Sequence, residues 1–560
     1  MRDELLEYRK IGQCLVYSYE VLGGTVTIPV PMEEHVELAA LTVGHFLEQA
    51  VDEVPDDPLL IWEDRQISYR EFNESANRAA NVWRDLGVRR GDHIAFMVDN
   101  KPEFLYAWFG LAKLGATLVA VNTGFKERET QYILEHSQAK FVLVDDVYAD
   151  VIAPSVDRLP GLQAVYSMQP ASRFPHFGEL VDAAETAAPD AADVSPDDIV
   201  SFIYTSGTTG NPKAVMQSQR NFVLTGQAYP HWMRMEKGDR IYACLPLFHI
   251  NSQAYSMMGA IGARGAIVLA HRFSANKFWD DIRRHKVAVF NFIGAMTLIL
   301  SKKEPAGDDL DHSVKVAYGV PALPGELRET LEKRYGMTVI SGFGMSETTF
   351  GLLEPFDERR RAGAMGFPRQ HPDPAVPRTE AAVVDENGNH LGDNEVGELI
   401  LRGPAHMLGY FNDPEKTVEA LRDGWLYTGD MARRDTDGQY YFVDRKKDIV
   451  RRRGENVSSL EVENVINDHP SVLESAVIGV PSDLTDEDLL VFVVARDGRE
   501  LDFGDIGDWA ADRLARFKVP RYYRQIDALP KTSTQKIAKH QLRSAADTKG
   551  YDRDLATTTR

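Results

Sequence analysis

The chain has 560 residues, 43% hydrophobic and 26% charged, which is the make-up of an ordinary globular protein. That length leaves room for about three to four cores. A net charge of −21 offers no domain-wide basic field for nucleic acid or an acidic membrane, so anionic substrates must be met by local positive groups.

The start, Met1 to Lys10, is charged and lacks the apolar centre of a signal peptide. Residues 1–41 read as an N-terminal extension with no recognisable pattern. Only Cys14 and Cys244 are present, far apart, which disfavours a disulfide framework or a cysteine metal site. Thr42–Ala50 reads as a capped amphipathic helix and Leu59–Trp62 as a strand. Ser68–Leu86 has apolar residues at helical spacing, with Gly87 as its stop. His93–Val98 is a strand, Glu103–Leu114 a helix and Ala116–Val121 another strand. Short apolar strands alternating with helices predict an α/β fold with a parallel sheet covered on both faces. The pattern continues through Val287–Phe292 and Met337–Ile340. The longest apolar stretch, Ala254–Ala270, is interrupted by Arg264 and rich in glycine, so no membrane span is expected. A cytoplasmic enzyme fits these features.

From Thr379 the texture changes to short strands with turn signals between them, at Ala381–Gly388, Gly397–Gly403 and Gln439–Asp444. They predict a β-rich subdomain over about 379–446, closing a large domain of 42–446. A basic segment, Arg445–Arg453, leads into a small α+β domain of 447–545. The tail, 546–560, reads as disordered.

Within this frame one stretch carries chemistry. The apolar strand Asp198–Ile203 breaks into Tyr204-Thr-Ser-Gly-Thr-Thr-Gly-Asn-Pro-Lys-Ala-Val215. Gly207 and Gly210 allow a tight turn close to a ligand. Thr205, Ser206, Thr208 and Thr209 add hydroxyls, and Lys213 a mobile positive charge. Successive backbone N–H groups in such a turn suit a polyphosphate. The spacing is not that of a Walker A loop. The alternative is a flexible Gly/Ser/Thr linker, which the preceding strand and the Pro-Lys ending oppose.

Thr205 to Lys213 resembles the phosphate-loop signature of the adenylate-forming superfamily, and companion motifs follow in family order from about residue 42 to 545. Ser341-Gly-Phe-Gly-Met-Ser-Glu-Thr348 resembles the element in which an aromatic packs on adenine and a glutamate helps hold Mg²⁺. This implies ATP contacts from Gly342, Phe343, Gly344, Met345 and Ser346, with Glu347 as the metal carboxylate. Without the resemblance, Glu347 could be a charge at a helix N-terminus. Tyr427-Thr-Gly-Asp430 resembles the ribose-binding element, with Asp430 accepting from both hydroxyls. Asp444-Arg-Lys-Lys-Asp448 resembles the hinge, with Arg445 at the ribose or α-phosphate and Lys447 as pivot. Pro530–Lys539 resembles the catalytic-lysine motif, with Lys536 reaching the carboxylate and α-phosphate; Gln535 stands where a glycine is usual.

The acyl-CoA synthetase branch fits best. The resemblance implies a carboxylic acid–CoA ligase that forms acyl-AMP and pyrophosphate from ATP, then acyl-CoA and AMP, with Mg²⁺ as cofactor. Gly454 matches the residue that lets pantetheine pass, beside Arg453 and Glu455; the neighbouring arginines either greet CoA phosphates or form a solvated turn. The acid pocket is expected from His249, Ile250, Asn251, Tyr255, Phe292, Ile293 and the Gly319–Ala322 turn, in which Val320, Pro321 and Ala322 also border ATP. Thr205 and His249 join Lys536 and Glu347 as catalytic candidates. Bulky pocket residues favour a small or medium acid, and the region is most like ligases for crotonobetaine, carnitine and similar acids. Phe248, Tyr255 and Phe292 are candidates for an aromatic cage around a quaternary ammonium. An adenylating enzyme with an amine, inorganic-acid or carrier-protein substrate, or a non-catalytic adenylate-binding protein, stays open. Self-association is also left open.

Overall fold

The structure is a computed structural model describing residues 7–11, 14–21, 24–31, 42–189, 193–205, 212–452, 455–482, 487–531, 537–544, 546 and 550–558. The chain forms two compact units. One comprises Met1–Thr205, Pro212–Ala381 and Leu401–Tyr427; the other includes Ala382–Ile400 and Thr428–Arg560. The N-terminal extension begins as an antiparallel meander of Glu7–Ile11, Cys14–Val21 and Gly24–Pro31.

In the larger unit a six-stranded sheet runs in the order Lys213–Ser218, Ile199–Thr205, Thr117–Ala120, His93–Met97, Phe141–Val144, Ala164–Ser167. Its strands are parallel except for the first pair, which is antiparallel. Strands such as Thr117–Ala120 and Phe141–Val144 are buried along their whole length, which is why they read as apolar runs without alternation. A second sheet is parallel through Pro58–Trp62, Ala266–Leu269, Arg240–Ala243, Val289–Ile293, Val316–Val320 and Thr338–Met345. Antiparallel strands border it: Arg65–Ser68 on one side, Thr348–Leu353 and Ala364–Pro368 on the other. The parallel expectation therefore holds for the sheet centres, while antiparallel partners close their margins. The helix Tyr69–Asp85 starts at the predicted Ser68, whose hydroxyl and Glu71 form a reciprocal capping box.

In the smaller unit Val472–Pro481, Glu487–Ala495 and Tyr522–Gln525 form a sheet packed against the helices Ser459–Asn467 and Phe503–Arg513. The expectation of a disordered tail is corrected here. Tyr551–Asp552 adds an antiparallel edge strand to Tyr522–Gln525. Asp552 pairs with Arg521 at 3.0 Å, and the Tyr551 ring packs on Phe503 and Tyr523. A polar sequence hides such a strand because its anchors lie on another element. Arg452 departs from the solvated-turn alternative: it is buried and donates to Asp488 at 3.1 Å and to the carbonyl of Phe517. Among the described residues no helix is long and apolar enough to cross a membrane.

Candidate functional site

The phosphate-loop candidate is held by its flanks. Thr205 and Lys213 are cross-strand partners in the antiparallel pair, so the strand leads into a hairpin. Ser206, Gly207, Thr208, Thr209 and Gly210 lie outside the described residues. Lys213, expected as a mobile charge, is instead anchored in a strand with its ammonium 4.6 Å from the centre of the Tyr410 ring.

Glu347 occupies a tight turn between two antiparallel strands, where Met345 pairs with Thr348. It is therefore not a helix-terminal charge. Its carboxylate is buried and accepts a 2.8 Å hydrogen bond from the Tyr410 hydroxyl. Burial, and then the charge of Glu347, push the Tyr410 phenol up, so it stays a donor. The turn's backbone is tied as well: Gln217 donates to the Ser346 carbonyl at 2.6 Å and the Met407 amide to the Glu347 carbonyl at 2.7 Å.

The strand carrying Gly342, Phe343 and Gly344 is fixed from below. Glu354 accepts from the Ser341 amide at 2.8 Å and from Arg328 at 2.8 Å. Burial holds the Glu354 carboxyl above the usual range, against the pull of those two donors. A Cβ on Gly342 would stand 2.4 Å from the Leu352 carbonyl oxygen, so only glycine permits this strand pairing. Gly319 sits in register with both Phe292 and Ser341, with Val320 the last residue of its strand and Pro321 and Ala322 just beyond it.

The acid-pocket candidates divide. His249, Ile250 and Asn251 are half-buried at the start of a π-helical segment, Asn251–Met257, a distortion that sequence periodicity does not reveal. The His249 ring lies 4.6 Å from that of Phe248. Ile293 is exposed at the edge of its strand. Tyr255 is buried, donates to the Thr349 carbonyl at 3.0 Å and stacks 5.8 Å from Tyr229. Phe292 is buried in a different core cluster, beside Phe290. Phe248, Tyr255 and Phe292 have their ring neighbours in His249, Tyr229 and Phe290 respectively. Sequence reading missed Arg369 here. Its buried guanidinium lies 5.2 Å from Trp232, 5.3 Å from Tyr255 and 5.0 Å from Tyr318.

The smaller unit holds the remaining candidates. Thr428-Gly-Asp430 lies inside a ten-residue strand, Trp425–Arg434, and not in a surface turn. Gly429 takes φ +72°, a left-handed conformation that suits glycine, and its amide donates to Glu398 at 3.0 Å. Asp430 is paired in register with Arg445, whose guanidinium stands 3.8 Å away. Asp444 accepts from Ser459 at 2.7 Å and the Leu460 amide at 3.2 Å, tying the hinge segment to the next helix. Lys447 is pushed down to about 8 by burial and by Arg445, Arg543 and Lys539, while Asp448 pairs with Arg543 at 2.8 Å. Arg453, Gly454, Lys536 and the Glu455 side chain fall outside the described residues.

No cluster of three metal-ligating side chains occurs among the described residues. Mg²⁺ is a hard cation commonly held by one or two carboxylates plus substrate phosphates and water. The buried, oriented Glu347 carboxylate supplies the oxygen chemistry such an ion takes.

Two sequence models match this chain: that of AMP-binding enzymes over residues 47–411, and that of the AMP-binding enzyme C-terminal domain over 461–536. The chain belongs to the AMP-binding enzyme family. This AMP-binding enzyme is 34% identical over 494 residues to a crotonobetaine/carnitine–CoA ligase of Proteus mirabilis, covering 85% of this chain and 93% of the relative. A Salmonella agona protein of the same description is 32% identical over 89% of this chain and 99% of its own. Solved structures agree on the adenylate-forming fold. The anthranilate CoA ligase AuaEII, in complex with anthranoyl-AMP, superposes with a TM-score of 0.81 at 27% identity, covering 93% of this chain and 99% of the other. ATP-bound MatB from Rhodopseudomonas palustris gives 0.81 at 26% identity, covering 91% and 99%.

Proposed function

We propose that this AMP-binding enzyme activates a small or medium carboxylic acid. It is an ATP-dependent acid–CoA ligase. A substrate carboxylate oxygen attacks the α-phosphorus of ATP and pyrophosphate leaves, giving acyl-AMP. The thiol of CoA then attacks the acyl carbon, loses its proton and expels AMP. No enzyme nucleophile is required. The protein's work is to hold anions in line and offset the charge that develops.

The observation carrying this reading is the close grouping, within one unit, of Lys213 and the buried Glu347 around Tyr410. In this reading Thr205 and Ser206–Gly210 cradle phosphates, Gly342–Ser346 flank the adenine, and Glu347 would hold Mg²⁺, which offsets phosphate charge when bound. Asp430 and Arg445 take the ribose and α-phosphate. Lys536 serves adenylation, and Gly454 with Arg453 and Glu455 admits CoA. Lys447 is the pivot between 42–446 and 447–545. His249, Ile250, Asn251, Ile293 and Gly319 line the acid side.

Relatives named for crotonobetaine and carnitine support a small acid. The Arg369 guanidinium beside Tyr255 opposes a second cation at that ring, so Tyr255 is not the grip for a quaternary ammonium. A lack of nucleic-acid partners is supported by the charge of −21. The test is incubation with ATP, Mg²⁺ and an acid library, with and without CoA. Acid-dependent release of AMP and formation of a thioester are expected. Nucleotide binding with no AMP from any acid would refute catalysis, and AMP release without thioester would refute CoA as acceptor. Comparing kcat/KM for acetate, crotonate, benzoate, octanoate, palmitate and carnitine tests the size; a clear preference for palmitate overturns it.

A further inference from the structure

Tyr410 was singled out by no sequence motif, yet it joins the two charged groups on which the proposed chemistry depends. Its backbone belongs to the phosphate hairpin. The Met216 amide donates to the Gly409 carbonyl at 3.0 Å, the Leu408 amide to Met216 at 2.9 Å and the Phe411 amide to Ala214 at 2.9 Å. The segment 408–411 thus runs beside the strand that begins at Lys213. Thr417 pins the Tyr410 amide at 2.9 Å from the other side. The hydroxyl reaches Glu347 and the ring face receives the Lys213 ammonium, so one side chain meets an anion at its tip and a cation over its plane.

The physical consequence concerns what those charges are kept from doing. A lysine and a carboxylate in a partly buried site pair strongly when nothing separates them. Direct pairing would spend both on each other instead of on phosphate and metal. Tyr410 engages each of them more weakly: the carboxylate through the hydrogen bond from its hydroxyl, the ammonium through the ring quadrupole. Gln217, fully buried four residues along the same strand, fixes the other half of the turn by its bond to Ser346. Asn221 in turn holds Gln217 at 2.9 Å and the His406 carbonyl at 2.7 Å.

We propose that Tyr410 is a positioning residue that aims Glu347 at Mg²⁺–ATP while holding Lys213 apart from it, with Gln217 locking the turn to the phosphate hairpin. The proposal rests on Glu347 being the metal carboxylate. Tyr410→Phe keeps the ring face and loses the hydroxyl; Tyr410→Leu loses both. Losing a hydrogen bond to a charged group should raise the Mg²⁺ concentration needed by Tyr410→Phe about tenfold to a hundredfold, with the KM for ATP at saturating Mg²⁺ little changed. In Tyr410→Leu, Lys213 and Glu347 are free to pair, so both the Mg²⁺ requirement and the KM for ATP should rise.

The experiment measures the Mg²⁺ dependence of pyrophosphate release and, without acid, Mn²⁺–ATP binding by electron paramagnetic resonance. Thermal unfolding of each variant controls for the fold, and Glu347→Gln is run in parallel. A weaker metal response in both Tyr410→Phe and Glu347→Gln, with Mn²⁺–ATP affinity falling in step, supports the proposal. A weakened response in Glu347→Gln with none in Tyr410→Phe refutes the positioning role and leaves Glu347 as the metal carboxylate. An unchanged response in Glu347→Gln refutes that assignment, and the proposal with it. Lower stability of Tyr410→Phe with unaltered metal binding would make Tyr410 merely structural and also overturn it.

Discussion

Replacing Arg328 with Met should destabilise the larger unit by about 3–5 kcal/mol, because it leaves a buried carboxylate without its cation. Arg328 and Glu354 are 8% and 2% exposed and meet at 2.8 Å, so solvent cannot take over the lost interaction. Glu354 then keeps the hydrogen bond from the Ser341 amide, at the head of the strand bearing Gly342–Met345, and the weaker field of Arg360. The double replacement Arg328→Met with Glu354→Met removes the stranded charge and should cost clearly less than Arg328→Met alone. The pH dependence has a definite sign. Burial already raises the Glu354 carboxyl, and losing Arg328 raises it further, so the folded state keeps a proton that the unfolded state has released. The deficit of Arg328→Met is therefore full above the raised folded value and shrinks as pH falls toward 4.5. Urea unfolding followed by tryptophan fluorescence measures it; apart from Trp509, every tryptophan lies in the larger unit. A double variant as unstable as the sum of the single ones, or a deficit that grows on acidification, would refute the reasoning.

Lys536→Ala should lower adenylation by about a hundredfold to a thousandfold while sparing thioester formation from supplied acyl-AMP; equal loss in both halves would remove Lys536 from its assigned step. Gly454→Trp should do the reverse, blocking transfer to CoA with pyrophosphate release intact. His406 is pushed down to about 4 by burial, so the unfolded chain binds its proton first and stability is lost as pH falls from 6.5 toward 4. His406→Gln should unfold at lower pH than the parent in an acid titration followed by circular dichroism; an unmoved midpoint would count against this origin. Lys447, titrating near 8, should react with trinitrobenzenesulfonate at pH 8 ahead of ordinary surface lysines, as peptide mapping by mass spectrometry would show.

Much of this protein is written locally. Periods of burial, the Ser68 cap and the apolar runs of the central strands depend on neighbours in sequence, and those elements lie within a few residues of where their pattern places them. The family motifs are equally local, which is why the family could be read from them. What the sequence left undecided are contacts between distant segments. Tyr410 is 63 residues from Glu347, and only pairing of 408–411 with the hairpin strand brings them together. Arg369 lies far from Trp232, Tyr255 and Tyr318 in sequence, and its place among their rings decides that Tyr255 serves an internal cation. Arg452 looked like part of a basic turn until Asp488, 36 residues on, drew it inside. The polar tail became an edge strand for the same reason: Arg521 and Tyr523 offer it an ion pair and a ring to pack on. Local periodicity reports which face of an element is buried. Which charge meets which, and which aromatic face is already taken, is settled only when long loops close and bring separate elements into contact.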